Sequence, residues 1–208
     1  MKRIFLLITA CICCANFLWA QKLDTLYLDS DQNLVAHPAF AKMMRVVLIE
    51  KNGAGKYLHI DMDTGRKRAD GSFSSINLET GEMIRQGKVY VYDVNTGKPT
   101  LMITFSNNKY HGEFVYFSDD GGVWYVETYQ NGYLHGETKE YFPSGKLKVI
   151  KHYKFNKLDG PCEVTDENGR KMTGNYVNGL EEGIFKYYSE FGQFIGQERY
   201  VKGVKQSN

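Results

Sequence analysis

One stretch, YQNGYLHGETKEYFPSG (Tyr129 to Gly145), returns in altered form along the chain, and that recurrence limits the fold more than any other feature. Its relatives are FSNNKYHGEFVYFSDDG (Phe105 to Gly121), YKFNKLDGPCEVTDENG (Tyr153 to Gly169) and YVNGLEEGIFKYYSEFG (Tyr176 to Gly192). A unit copied at a fixed period buries its apolar face only by stacking on its neighbours. A first column of glycines, Gly65, Gly97, Gly121, Gly145, Gly169 and Gly192, follows mostly turn-favouring residues. An aromatic column comes next: Phe73, Phe105, Tyr129, Tyr153, Tyr176 and Tyr200. Three residues beyond its last five members stand Asn108, Gly132, Asn156, Gly179 and Gly203, the residue types that most readily take positive φ. Further glycines, Gly87, Gly112, Gly136, Gly160 and Gly183, are expected to open the next strand.

Each repeat therefore reads strand, tight turn, strand, tight turn, and no segment of the array carries a helical apolar period. From Gly97 onward the turn glycines are 24 residues apart, once 23. Between Gly65 and Gly97 the gap is 32, which places an insertion at Ser74 to Gln86, a longer loop or an extra small hairpin. A 16-residue period through Gly55, Gly71 and Gly87 is the alternative. The 24-residue phase is preferred because only it puts Phe73 in the aromatic column. In the first strand of each repeat, Tyr57, Val89, Phe114, Thr138, Cys162 and Phe185 hold the second position, and Ile60, Tyr92, Phe117, Tyr141, Thr165 and Tyr188 the fifth. A separation of three puts them on opposite faces of a flat strand. Either both faces are partly covered, or the strands are twisted or bulged.

Ahead of the array the pattern differs. Residues 1–20 combine Lys2 and Arg3 with an apolar run and a small final residue, the layout of a secretory signal peptide. The run is short for a membrane span. Ile8-Thr9-Ala10-Cys11 resembles a lipobox, but cleavage at Cys11 would leave a very short apolar core, so the ordinary signal is preferred. Residues 21–54 read as an N-terminal cap with the first strand: Thr25 to Leu28 as strand, Ser30 to Asn33 as turn, and a turn or two of helix near Pro38. Arg45 to Ile49 and Lys56 to Asp61 flank Asn52-Gly53 as a hairpin. Residues 55–208 form the array. The expected fold is all-β: an elongated, single-layer antiparallel β-meander of about six hairpin repeats behind a small cap.

The segment NGYLHGETKEYFPSGKLKVIKHYKFNKLDG resembles the MORN-repeat variant of bacterial cell-envelope proteins. The likeness runs from roughly Gly55 to Gly203 and rests on the aromatic, Asn-Gly, His/Asp-Gly, aromatic strand and second turn glycine. Departures are Phe155-Asn156 for Asn-Gly, Glu181-Glu182-Gly183 for His-Gly, and the Ser74 to Gln86 segment. Several relatives of that type are labelled antitoxins of toxin–antitoxin systems. The resemblance implies an exported protein of the periplasm, outer membrane or exterior.

The residues themselves point away from catalysis. Without its leader the chain holds 24 basic and 24 acidic residues, so no bulk field draws it to nucleic acid. Cys162 is then the lone cysteine and reads as a small buried apolar residue. His111, His135, Asp159 and Glu182 share one position before the glycine that opens a strand. Equivalent residues two strands apart lie about 10 Å from one another, too far to share a zinc ion. His37, His59 and His152 have no common spacing and read as isolated surface or core residues. The sequence contains no nucleophile elbow, P-loop, HExxH or CxxC motif. The expectation is a non-enzymatic protein-binding or scaffolding module with no cofactor, metal or nucleic-acid partner. Binding of glycan or lipid through exposed Tyr and Phe, an antitoxin-like role and homo-oligomerisation stay open. Function is expected on the composite sheet surface, in the cap or in the Ser74 to Gln86 insertion.

Overall fold

The structure, a computed structural model, describes residues 20–207. The expected signal peptide, apart from its last residue Ala20, and Cys11 lie outside the described residues. Among those described, the chain is an antiparallel β-meander of seventeen strands, β1 to β17, with a single 3₁₀ turn at Pro38–Phe40. Two compact bodies divide it. One comprises the described residues up to Thr100 with Thr104–Asn108, and the other Leu101–Ile103 with those from Lys109 onward.

The first body begins with β1 (Ala20–Leu28), β2 (Met43–Glu50) and β3 (Gly55–Asp61), continues with β4 (Lys67–Ile76) and β5 (Met83–Tyr92), and takes in most of β6 (Pro99–Ser106). Each of β1 to β4 pairs antiparallel with its successor. Three of its turns share one chemistry at a 16-residue step: Asp61, Asn77 and Asp93 begin them, and Gly65, Gly81 and Gly97 close them. In each, the glycine N–H donates to the carbonyl of the first residue at 2.8 Å. The side-chain oxygen of that residue accepts from the threonine N–H, at 2.8 Å for Thr64, 3.2 Å for Thr80 and 2.7 Å for Thr96. Ser74 to Gln86 is thus no insertion. It holds the end of β4, a turn of the same kind as its neighbours and the start of β5, so the 16-residue phase describes this body. Phe73 misled the phasing because it is buried as the aromatics of the array are, although its strand belongs to the shorter period.

The apolar centre of this body lies where the cap meets that turn. Leu26, Leu28 and Met43 form a buried cluster, with Leu34 from the cap loop, Ile76 from the end of β4 and Leu78 from the β4–β5 turn packed on it. The expected helix near Pro38 is one 3₁₀ turn, whose first amides are satisfied by His37 Nδ1 accepting from Ala39 N–H at 3.1 Å.

The second body runs from β7 (Lys109–Phe117) and β8 (Val123–Gln130) through β9 (Tyr133–Leu134) and β10 (Gly136–Tyr141) to β11 (Leu147–Lys154) and β12 (Lys157–Thr165). It continues with β13 (Lys171–Val177), β14 (Leu180–Glu181), β15 (Gly183–Tyr188), β16 (Phe194–Val201) and β17 (Val204–Lys205). Here two kinds of turn alternate. A wider turn is closed by Gly121, Gly145, Gly169 and Gly192, whose N–H groups donate to Ser118, Phe142, Asp166 and Ser189 at 2.8 to 3.0 Å. The other is a two-residue turn with both residues at positive φ, the type I′ geometry that matches strand twist. Its members are Asn131-Gly132 (52°, 90°), Phe155-Asn156 (47°, 67°), Asn178-Gly179 (51°, 89°) and Lys202-Gly203 (48°, 78°). Asn107-Asn108 of the first body adopts it as well (49°, 63°).

The second-position column is buried throughout: Tyr57 and Val89 in the first body, Phe114, Thr138, Cys162 and Phe185 in the second. Four fifth-position residues sit at a disrupted pairing, whereas Thr165 stays in regular register with Lys171. Register shifts fall immediately before Ile60, Phe117, Tyr141 and Tyr188, where the returning strand carries an extra residue. A bulge there bends and twists the hairpin, which lets residues three apart both gain cover.

Candidate functional site

The glycine and aromatic columns meet face to face. Gly55 pairs with Phe73, Gly112 with Tyr129, Gly136 with Tyr153, Gly160 with Tyr176 and Gly183 with Tyr200. Each ring belongs opposite a residue with no side chain, so a large aromatic takes the space of two positions. All eleven glycines of the turn and strand columns have positive φ, between 68° and 125°. Gly112 and Gly160 lie inside β7 and β12, whereas Gly136 and Gly183 begin β10 and β15 after a break. Gly112 and Gly160 are thus kinks inside a pairing strand, while Gly136 and Gly183 open their strands. Gly160 shows the need best: at φ 125° a Cβ would also stand 2.9 Å from the His152 Cβ.

The polar position before the kink glycine contacts the first residue of a type I′ turn about twenty residues on. Gln86 Oε1 accepts from Asn107 N–H (3.1 Å), Asp159 Oδ2 from Asn178 N–H (3.1 Å) and Glu182 Oε2 from Lys202 N–H (2.8 Å). His111 Nδ1 lies 3.3 Å from Asn131 Oδ1. His135 meets Phe155 instead, ring to ring at 4.9 Å, and its Nδ1 is buried without a hydrogen bond. Main-chain stitches run at the same level: Asn108, Gly132, Asn156, Gly179 and Gly203 donate their N–H to Arg85, Tyr110, Leu134, Leu158 and Glu181. His111, His135, Asp159 and Glu182 are therefore turn sockets. Among the described residues no three His, Cys, Asp or Glu side chains are placed to hold a metal ion together. Cys162 is buried and unbridged, and burial raises its thiol pKa.

His59, which has no repeat partner in the sequence, is not isolated. Arg45, 3% exposed, donates through Nε to His59 Nε2 at 2.7 Å and through Nη1 to the Gly81 carbonyl at 2.5 Å. The imidazole must accept at Nε2, so it is neutral. Burial first, then the Arg45, Arg68 and Arg85 charges, pushes the His59 pKa down to about 3. Burial likewise raises Tyr57 to about 12. Asp61 takes Arg68 at 2.9 Å; burial alone would raise its pKa, but the bonds from Thr64 and the Arg68 charge leave it lowered. This polar group pins the β4–β5 turn over the sheet and presents no open donor set to a substrate.

Exposed apolar residues concentrate on the last hairpin. Phe191 is 80% exposed, Ile195 62% and Phe194 57%, with Ile184 exposed beside them. β16 pairs with β15 along one edge, and on its other edge only Tyr200 and Val201 pair, with β17. In the preceding repeat the matching residues Lys171, Met172 and Thr173 pair on both sides. Ile195 to Gln197 thus leaves a strand edge open among the described residues.

Neither a family model nor a curated protein matches the chain. Of solved structures, the crystal structure of BamB from Moraxella catarrhalis is similar over 87% of this chain and 91% of that one, at 10% identity and a TM-score of 0.19. A likeness that slight carries no argument about this chain's fold or function.

Proposed function

We propose that this is a non-enzymatic, exported repeat protein of the MORN type that binds or scaffolds a protein partner in the cell envelope. The open edge of β16 beside Phe191, Phe194 and Ile195 carries the reading. An unpaired edge offers main-chain donors and acceptors to an extended segment, and adjacent apolar side chains supply the area such pairing needs. Exposed apolar groups in one place mark interaction surfaces. The signal-like leader supports export, and the balanced charge supports a protein partner over nucleic acid. A photocrosslinker at Phe194, used in the native envelope, is expected to capture a defined protein, with capture lost in Ile195→Lys. Adducts to lipid or glycan alone would overturn the reading. A glycan-binding alternative rests on Tyr133 and Phe155, two exposed rings edge to face at 6.0 Å. Saturable glycan binding abolished by Tyr133→Ala would favour it.

A further inference from the structure

The second body builds one arrangement twice, three repeats apart. In the later copy, Tyr187 and Tyr200 donate their hydroxyls to Glu198 Oε2 at 3.0 and 2.8 Å. The Lys205 ammonium bonds the other carboxylate oxygen, Oε1. Lys205 is delivered by main-chain pairing, since it stands opposite Tyr200 where β17 meets β16. Lys205 first, then the two phenols, holds the Glu198 pKa down at about 2.

The earlier copy keeps everything except the lysine. Tyr116 and Tyr129 donate to Glu127 Oε2 at 3.4 and 3.0 Å, again on the same oxygen. The residue opposite Tyr129, in the place of Lys205, is Leu134. Among the described residues Glu127 makes no ion pair, and neither phenol engages Oε1. The two repeats between carry Lys151 and Gly174 in the acid's position, so the carboxylate is confined to these two copies. We infer that Glu127 with Tyr116 and Tyr129 is a recognition site for an alkylammonium group, supplied by a lysine side chain of a protein partner; the partner clause rests on the protein-binding reading above.

Chemistry selects the ligand. The phenols spend their protons on Glu127, so each oxygen keeps lone pairs that accept from an ammonium N–H. Tyr125 and Tyr153 lie within the field of the same carboxylate; burial first and then Glu127 raises both, Tyr125 to about 12. Two phenols thus bond the carboxylate and two more lie within its field, and neutral aromatic faces suit a cation. Trp124 is exposed and packs on Tyr116 and Tyr125, ring centroids 5.7 Å away in each case, an apolar rail for a four-carbon stem. A quaternary ammonium has no N–H for these acceptors. A divalent metal takes six or more oxygen ligands, and this site offers one carboxylate with two phenols already bonded to it. The chain's own solution in the later copy is a lysine on an extended strand, and the partner segment is of that kind.

The test titrates the full chain with Nα-acetyl-lysine methylamide and follows the Trp124 and Tyr129 ring signals by NMR. The site predicts a saturable change, roughly tenfold weaker in Glu127→Gln and unchanged in Glu198→Gln. Leu134→Lys recreates the later copy and is expected to abolish the response by supplying the chain's own ammonium; it also serves if Glu127→Gln fails to fold. An equal response to the Nζ-acetylated probe, or an unaltered one in both variants, would sink the inference. Glu127-dependent binding to phosphatidylethanolamine vesicles with none to the lysine probe would overturn the protein source. Crosslinking at Phe194 separates the two readings. A protein adduct with no Glu127-dependent lysine response refutes this site alone, whereas a lysine response with no adduct refutes the partner clause and keeps the site.

Discussion

The two bodies spell the same antiparallel hairpin with different periods. In the first, three successive turns from Asp61 to Gly97 are Asp/Asn-x-x-Thr-Gly turns, so the pattern there returns after one strand and one turn, 16 residues. In the second, a wide turn and a type I′ turn alternate, so the pattern returns only after two strands, 24 residues for most repeats. A sequence period in a meander thus counts turn chemistries, not strands. The bodies also find their cover differently. The first lays its cap loop and β4–β5 turn over Leu26, Leu28 and Met43. The second has no such covering loop and relies on aromatic rings set opposite glycines, a device the first body uses at Gly55 and Phe73.

That contrast can be broken by substitution. The largest effect is expected at Gly174, where a Cβ would lie 2.3 Å from the Phe185 ring. Gly174→Val should cost more than about 3 kcal/mol by overpacking, while Gly196→Ala, with nothing within 4 Å, stays close to wild type. Hydrogen exchange should show the loss concentrated in β12 to β16. Uniform loss through both bodies would erase the distinction drawn here.

Acid comes next, and it should strike the first body. His59 is neutral when folded, with a pKa near 3, whereas an unfolded histidine takes a proton near the ordinary 6.5. The stabilisation is complete above pH 6.5 and is lost as pH falls toward 3, amounting to a few kcal/mol. Amide exchange of Asn77 to Glu82 should accelerate across that range ahead of Ser189 to Gln193. Parallel acceleration at both turns would remove the Arg45–His59 latch as its cause.

Turn chemistry gives a smaller test. Asn77→Ala removes the acceptor for the Glu79 and Thr80 amides and should cost about 1 kcal/mol, by analogy with losing a helix cap. Phe142 begins a wide turn with no side-chain acceptor, so Phe142→Ala should leave the Gly145 amide as protected as before. The smallest effect is a gain. Phe155→Asn relieves a bulky residue at φ 47° and offers His135 Nδ1 the kind of partner His111 has, worth several tenths to about 1 kcal/mol. A lower melting temperature would mean that the Phe155 ring contributes more by packing on His135 than it costs in strain.

Much of the meander was readable because its devices repeat. Gly112 with Tyr129 and Gly160 with Tyr176 are separate columns in the sequence and cross-strand partners in space. The Asn/Gly position announced the type I′ turns through positive φ alone. Features that occur once were hidden. Arg45 and His59 face each other across the β2–β3 hairpin, but Gly81 shares no period with them and joins only when the β4–β5 turn folds back. Gly81 did carry a signal, standing midway between Gly65 and Gly97 with threonines before all three, but Phe73 outweighed it. Glu127 and Glu198 escaped for a related reason: Lys151 and Gly174 interrupt their column, and the likeness emerges only through Tyr116 and Tyr187 on the facing strands.

The main-chain stitches have a direction. Each donor, from Asn108 to Gly203, reaches back to a carbonyl made 21 to 23 residues earlier, never forward. Whenever such a chain emerges amino end first, from a ribosome or a membrane pore, the acceptor is already in place before its turn appears. Assembly can then advance like a ratchet, one hairpin clicking onto the last, with only the newest strand left uncovered at any moment.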